Sequence, residues 1–285
     1  MPLFDIAGCT LEFSGFENDF FNHRFEGYRA KNNETPEIKV EMLEEIFLPQ
    51  GKHVSVADNF RHYYKQAKGY GIYDLLKEPD TYCASVWFDD EVKSAKTALS
   101  DISDLGGMDL KVRGFNMLGE IFRYFILKNN GIVLHSSCIK YKNAGIAFSA
   151  PSGTGKSTHT GLWKKYLPDD VTVLNDDSPA IKFGKFTPEI YGTPWSGKTE
   201  INVNEGAPLE AIVFLEQHPT NEITEISSDE AVFRILQEVT RPVFPEFMEL
   251  TLAAVEKLVV NTPTYLLKCN ISEEAVLTVK NKLGL

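Results

Sequence analysis

Between residues 149 and 158 the chain reads SAPSGTGKST. Two glycines, a lysine and hydroxyl side chains lie between an apolar run, AGIAFSA, and a helix-like run, STHTGLWKKYL. Glycines let successive backbone N–H groups turn toward one point and leave no side chain in the way. A helix that starts there adds unpaired N–H groups and the positive end of its dipole. The chemistry such a loop suits is the holding of phosphate. From Ala150 to Ser157 the residues have P-loop spacing, with Ala150 in the place of the first glycine. Lys156 would meet the β- and γ-phosphates of ATP, and it is expected to be exposed within the loop. Ser157 is placed to ligate Mg²⁺, and Ser152, Gly153, Thr154, Gly155, Lys156, Ser157 and Thr158 form the expected nucleotide-binding set.

A second group follows at VTVLNDD, where Asp176 and Asp177 end an apolar strand 20 and 21 residues after Lys156. One acid beside a P-loop can hold Mg²⁺, and another can take the proton of an attacking hydroxyl. Asp176 is assigned to the proton and Asp177 to the metal, and the reverse assignment stays open. Two cations are candidate phosphate contacts. Lys198 lies in YGTPWSGKTE, a loop expected to close over phosphate, and Arg241 ends an expected helix. His135, in IVLHSSC, is alone on an apolar strand and by itself reads as a core residue.

The elements that must position these residues form an α/β series. GFNMLGEIFRYFILKNNG carries apolar residues at three- and four-residue spacing and reads as a helix stopped by Gly131. GIVLHSSCIKY and AGIAFSA read as buried strands, STHTGLWKKYL as a helix and VTVLN as a strand. PAIKFGKFTPEIY reads as a hairpin turning at Gly184-Lys185, and PLEAIVFLEQ as a further strand. Helices are expected over roughly 228–240 and 245–260, then the strand TYLLKC and a last helix opened by Ser272. The first hundred residues read mostly as short strands, with ADNFRHYYKQAKGYGIYDLL ambiguous. A boundary at SDLGGMDL divides a β-rich region, 1–110, from a catalytic domain, 111–285.

Together, VLHSSCIKYKNAGIAFSAPSGTGKST and VLNDDSPAI resemble the HPr serine kinase/phosphorylase group, over roughly residues 112 to 270. That group shares a nucleotide-binding core with ATP-dependent phosphoenolpyruvate carboxykinase. The resemblance implies a P-loop core on a mixed, bent β-sheet with flanking helices, beside a smaller β-rich N-terminal region. It implies a histidine near the phosphates or a metal, here His135, as a catalytic residue with Lys156 and Asp176. The implied function is an ATP- and Mg²⁺-dependent kinase acting on a hydroxyl, with a protein or peptide serine first among acceptors. A carboxykinase-like or phosphorylase enzyme using a small metabolite is the first alternative, and a non-catalytic nucleotide sensor the second. The N-terminal region is expected to recognise the acceptor, and a homo-oligomer is left open.

The formal net charge of −11 over 285 residues makes nucleic acid a poor partner, because phosphate neutralisation needs clustered Lys and Arg. No run approaches eighteen apolar residues, so no membrane span is expected. Cys9, Cys83, Cys138 and Cys269 are widely and irregularly spaced, which suits reduced thiols and a cytoplasmic protein.

Overall fold

The computed structural model describes residues 2–31, 34–76, 81–101 and 109–285. The chain is mixed α/β, with two mixed β-sheets and, among the described residues, six α-helices. Tertiary contacts divide it into Met1–Asn129 with Pro242–Leu250, and Asn130–Arg241 with Thr251–Leu285. The boundary expected at 103–110 falls mostly outside the described residues.

The first group contains β1 (Leu3–Ile6), β2 (Cys9–Ser14), α1 (Asp19–Phe25), β3 (Ile38–Leu43), β4 (Lys52–Ala57) and β5 (Arg61–Gln66). It continues with β6 (Gly69–Leu75), β7 (Tyr82–Phe88), β8 (Ser94–Leu99) and α2 (Leu110–Lys128). The strands form one eight-stranded sheet in the order β1-β2-β3-β8-β7-β6-β5-β4. The segment left ambiguous by sequence is the antiparallel hairpin β5–β6. A feature the sequence reading missed is α1, where Asn18 caps the helix by accepting from the Phe21 N–H. Phe21 and Phe25 stack at 4.3 Å and pack with Phe4 and Phe13, so aromatic burial holds this short helix. Arg61 pairs with Asp74 at 2.6 Å and with Glu120 of α2 at 3.1 Å.

In the second group β9 (Gly131–Val133), β10 (Ser136–Tyr141), β11 (Ala144–Ser149), α3 (Lys156–Tyr166) and β12 (Val171–Asn175) come first. Then follow β13 (Ala180–Phe183), β14 (Pro188–Tyr191), β15 (Gly206–Gln217), β16 (Glu222–Glu225) and α4 (Ser228–Glu238). α5 (Pro245–Asn261), β17 (Thr264–Cys269) and α6 (Glu273–Leu283) complete the chain, and α5 contributes residues to both groups. The sheet runs β12-β10-β11-β15-β14-β13-β9, with β17 between β15 and β16. The long strand β15 joins two ladders: its start pairs with β14, and its later part lies parallel to β11 and β17. Trp163 of α3 is fully buried against Phe148 and Tyr141, with Val276 and Val279 of α6 in the same core. Burying such side chains contributes about 2–3 kcal/mol each and fixes α3 on the sheet.

Two sequence expectations need correction. GIVLHSSCIKY is not one strand: β9 pairs with β13, whereas β10 pairs with β11 and β12. Leu134 and His135 form the break, where Leu134 bridges Val239 and the His135 N–H donates to the Glu238 carbonyl. The helix expected over 228–240 stops at Glu238, because Val239 turns extended to make that bridge. Arg241 therefore lies beyond the helix end. The hairpin at Gly184-Lys185 is present, with Phe183 opposite Pro188, and Ser272 caps α6 by accepting from the Ala275 N–H. No described helix is long and apolar enough to cross a membrane.

Candidate functional site

The glycine-rich loop hangs between the end of β11 and the start of α3. Gly153 and Gly155 have φ of +82° and +113°, a region side chains disfavour. Gly155 is the N-cap of α3, and no side chain caps that helix. Its first-turn N–H groups thus keep their capacity for an anion. Ser152, Ser157 and Thr158 are exposed beside them. The Thr154 N–H donates to the Pro151 carbonyl at 3.2 Å, so that amide is engaged within the loop. Gln217 Nε2 donates to the Thr154 carbonyl at 3.1 Å and ties the loop to the end of β15.

Lys156 differs from its expected exposure: the residue is buried, 8% accessible. Its Nζ donates to the Ala150 carbonyl at 2.7 Å, which folds the side chain back across the loop. Burial lowers the Lys156 pKa, while Glu238, Asp177 and Asp176 act in the opposite direction. Those three carboxylates are the charges that this ammonium group feels.

Below the loop, Trp163 Nε1 donates to His159 Nε2 at 3.2 Å. His159 is 3% accessible, and burial brings its pKa down from 6.5 to about 4. Nε2 must stay unprotonated to accept this bond. A depressed histidine pKa contributes stability above 6.5 that is lost as pH falls toward 4, on the order of 3 kcal/mol. Chemical denaturation of wild type and His159→Gln at pH 7 and pH 4.5 should show the smaller loss on acidification in the variant. An equal loss in both would remove His159 as the cause.

The two acids are brought to the same strand ends but into different surroundings. Asp176 is 6% accessible and accepts from Ser137 Oγ at 2.7 Å. Ser137 Oγ lies 2.9 Å from Thr160 Oγ1 of α3, and Thr160 Oγ1 also contacts the Ser157 carbonyl at 3.2 Å. Asp176 is thereby linked to the first turn of α3. The Asp177 side chain is 40% accessible and accepts from Ser178 Oγ at 2.8 Å. Asn175 sets the turn between them, since its Oδ1 accepts from the N–H groups of both Asp177 and Ser178. The Trp195-Ser196-Gly197-Lys198 loop approaches here. Gly197 has φ of +68°, and a Cβ on it would lie 3.1 Å from the Asp177 Cβ.

His135 stands between two carboxylates. Its Nδ1 is 2.7 Å from Glu238 Oε2, and its Nε2 is 3.7 Å from Asp177 Oδ1. A carboxylate only accepts, so Nδ1 carries the hydrogen. The longer gap is no direct hydrogen bond; a hydroxyl lying there would reach both groups. Glu238, at 9% side-chain accessibility, is the residue sequence reasoning missed. One signal for it exists: an acid in the last turn of α4 opposes the helix dipole, and that turn holds no basic residue. Lys198 and Arg241 are exposed and are not drawn into this cluster.

No protein-family model and no curated protein matches the chain. Among solved structures, the Hpr(Ser) kinase/phosphatase from Coxiella burnetii matches 53% of this chain and 95% of its own. The identity is 12% and the TM-score 0.31. The functional reading therefore rests on the residues of this chain.

Proposed function

We propose that the protein is an ATP-dependent phosphotransferase that moves the γ-phosphoryl group to a hydroxyl, that of a protein or peptide serine before that of a metabolite. The observation that carries this reading is the gathering, at the strand ends of the second sheet, of the glycine-rich loop with Lys156, the acids Asp176 and Asp177, and the Glu238–His135 pair. Phosphoryl transfer asks mainly for positioning and charge stabilisation, and these groups supply both. Loop amides and Lys156 would hold the phosphate chain, working as the P-loop expected from sequence.

Mg²⁺ suits the donors present: two carboxylates and the exposed Ser157 hydroxyl are all hard oxygen ligands. Among the described residues no cluster of three or more His, Cys, Asp or Glu forms a metal cage. Once bound, Mg²⁺ would neutralise charge on the phosphates. Asp176, linked to the first turn of α3, and Ser157 are the residues we assign to it.

Exposure supports giving the hydroxyl proton to Asp177, the order that sequence left open. Asp177 is open to an acceptor and faces His135, whereas Asp176 is buried. Glu238 holds the imidazole by Nδ1 and leaves Nε2 toward the same point. The cavity of about 660 Å³ on the first group, lined by Phe47, Tyr73, Trp87 and Lys96 among others, supports acceptor recognition by the N-terminal region.

Glu238→Ala should lower kcat about tenfold or more, since it frees the ring. Glu238→Gln retains an acceptor for Nδ1–H and should recover much of the rate. Equal losses in both variants would point to charge rather than ring orientation. The reaction class itself is read from the nucleotide product. Incubation with Mg·ATP and a fractionated host extract should yield ADP. Release of AMP would place the attack on the β-phosphorus, and release of pyrophosphate on the α-phosphorus; either would overturn γ-phosphoryl transfer.

A further inference from the structure

The strands around the loop end in a fixed lateral order. Ser136, at the start of β10, pairs with Ser149 at the end of β11, and β12 ends beside β10 in Asn175. The acids and His135 therefore lie on one side of the loop. On the other side, β15 runs parallel to β11 and ends in Gln217, which pairs with Cys269 at the end of β17. Neighbouring strands lie about 4.8 Å apart, so these ends form a row that a molecule can cross.

A cavity of about 640 Å³ opens on that other side. Gly153, Thr154, Gly155 and Thr158 line it from the loop and α3. Leu162 and Leu215 form an apolar floor, and His218 and Ile271 stand further out. Its size falls within the roughly 300–1,000 Å³ typical of small-molecule sites. Leu162 and Leu215 are 8% and 6% accessible, whereas Ile271 is 76% accessible. The His218 ring is held in place, because its Nδ1 accepts from the Thr220 N–H at 3.2 Å.

We infer that this cavity takes the nucleoside end of the nucleotide, a deeper reading of the site that rests on phosphate binding by the loop. Phosphates on the loop with the γ end toward Asp177 direct the nucleoside away from the acids, toward the β15–β17 side. The cavity meets the loop there and presents apolar surface on which a base can stack. The Gln217–Thr154 hydrogen bond fixes the loop against the cavity wall, so one ligand would feel both.

The test uses the full chain and two probes, Mg·ATP and Mg·tripolyphosphate, titrated calorimetrically into wild type, His218→Ala and Ile271→Ser. Both substitutions are at the outer wall, away from the acids. ATP should bind wild type at least about tenfold more tightly than tripolyphosphate. The variants should lose most of that advantage while binding tripolyphosphate as wild type does. Equal affinity of the two probes for wild type would overturn the nucleoside assignment and leave the phosphate loop standing. So would variants that bind ATP as wild type does, or that lose both probes equally. Binding of neither probe to wild type would instead overturn the phosphate loop, and the cavity assignment with it.

Discussion

Asp177→Asn should lower phosphoryl transfer about a hundredfold or more at saturating Mg²⁺, while Mg·ATP should bind nearly as it does to wild type. A positioned base contributes roughly 10²- to 10⁴-fold, and Asn keeps the size of Asp while removing its capacity to take a proton. The Asn side chain also still accepts from Ser178 Oγ, the bond that holds Asp177. Asp176→Asn behaves differently. It should leave the proposed proton acceptor in place and weaken the oxygen set beside α3, so that more Mg²⁺ is needed for half-maximal rate. Single-turnover rates across a Mg²⁺ series separate the two. If excess Mg²⁺ rescues Asp177→Asn but not Asp176→Asn, the assignments are exchanged. If neither substitution changes transfer, the mechanism fails.

Lys156→Met should weaken Mg·ATP binding about a hundredfold, the upper end of what a charge-assisted hydrogen bond contributes. Methionine is the informative replacement because Lys156 is buried, and it retains the apolar stem. The variant also loses the bond from Nζ to the Ala150 carbonyl. A buried acceptor left alone costs about 1–3 kcal/mol, so the melting temperature should drop by several degrees without loss of the fold. Calorimetric titration alongside thermal denaturation checks both. Undiminished affinity in a folded variant would remove Lys156 from the phosphate site.

Much of the second sheet was legible because its signals are local. The apolar run ending at Ser149, the glycines and the helix-like run after Lys156 each announce themselves within ten residues. The same holds for the hairpin at Gly184 and the cap at Ser272. What escaped depends on distant partners. The strand-like stretch GIVLHSSCIKY hides the break at His135, since it shows only when β9 and β10 are seen to pair with different strands. Glu238 reads as an ordinary helix acid until the Leu134–Val239 bridge brings it to His135. The grouping of Pro242–Leu250 with the N-terminal strands was illegible for the same reason. Phe244 packs on Tyr70 at 4.6 Å and Tyr63 at 5.6 Å, across a sequence gap that no local pattern reveals. Lys156 was judged by its charge, whereas the carbonyl of Ala150 decides its burial.

The most direct measurement follows the γ-phosphoryl group itself. ATP labelled at that position is mixed with Mg²⁺, the full-length protein and size-fractionated extract of its host, and the label is traced after separation. Label should move from ATP into one fraction as a stable phosphoester, leaving ADP, with wild type and about a hundredfold or more slowly with Asp177→Asn. Transfer into polypeptide would identify a protein or peptide acceptor, and transfer into the small-molecule fraction a metabolite. Label that stays on ATP in every fraction, although calorimetry shows the nucleotide bound, would contradict phosphotransfer and identify a nucleotide sensor.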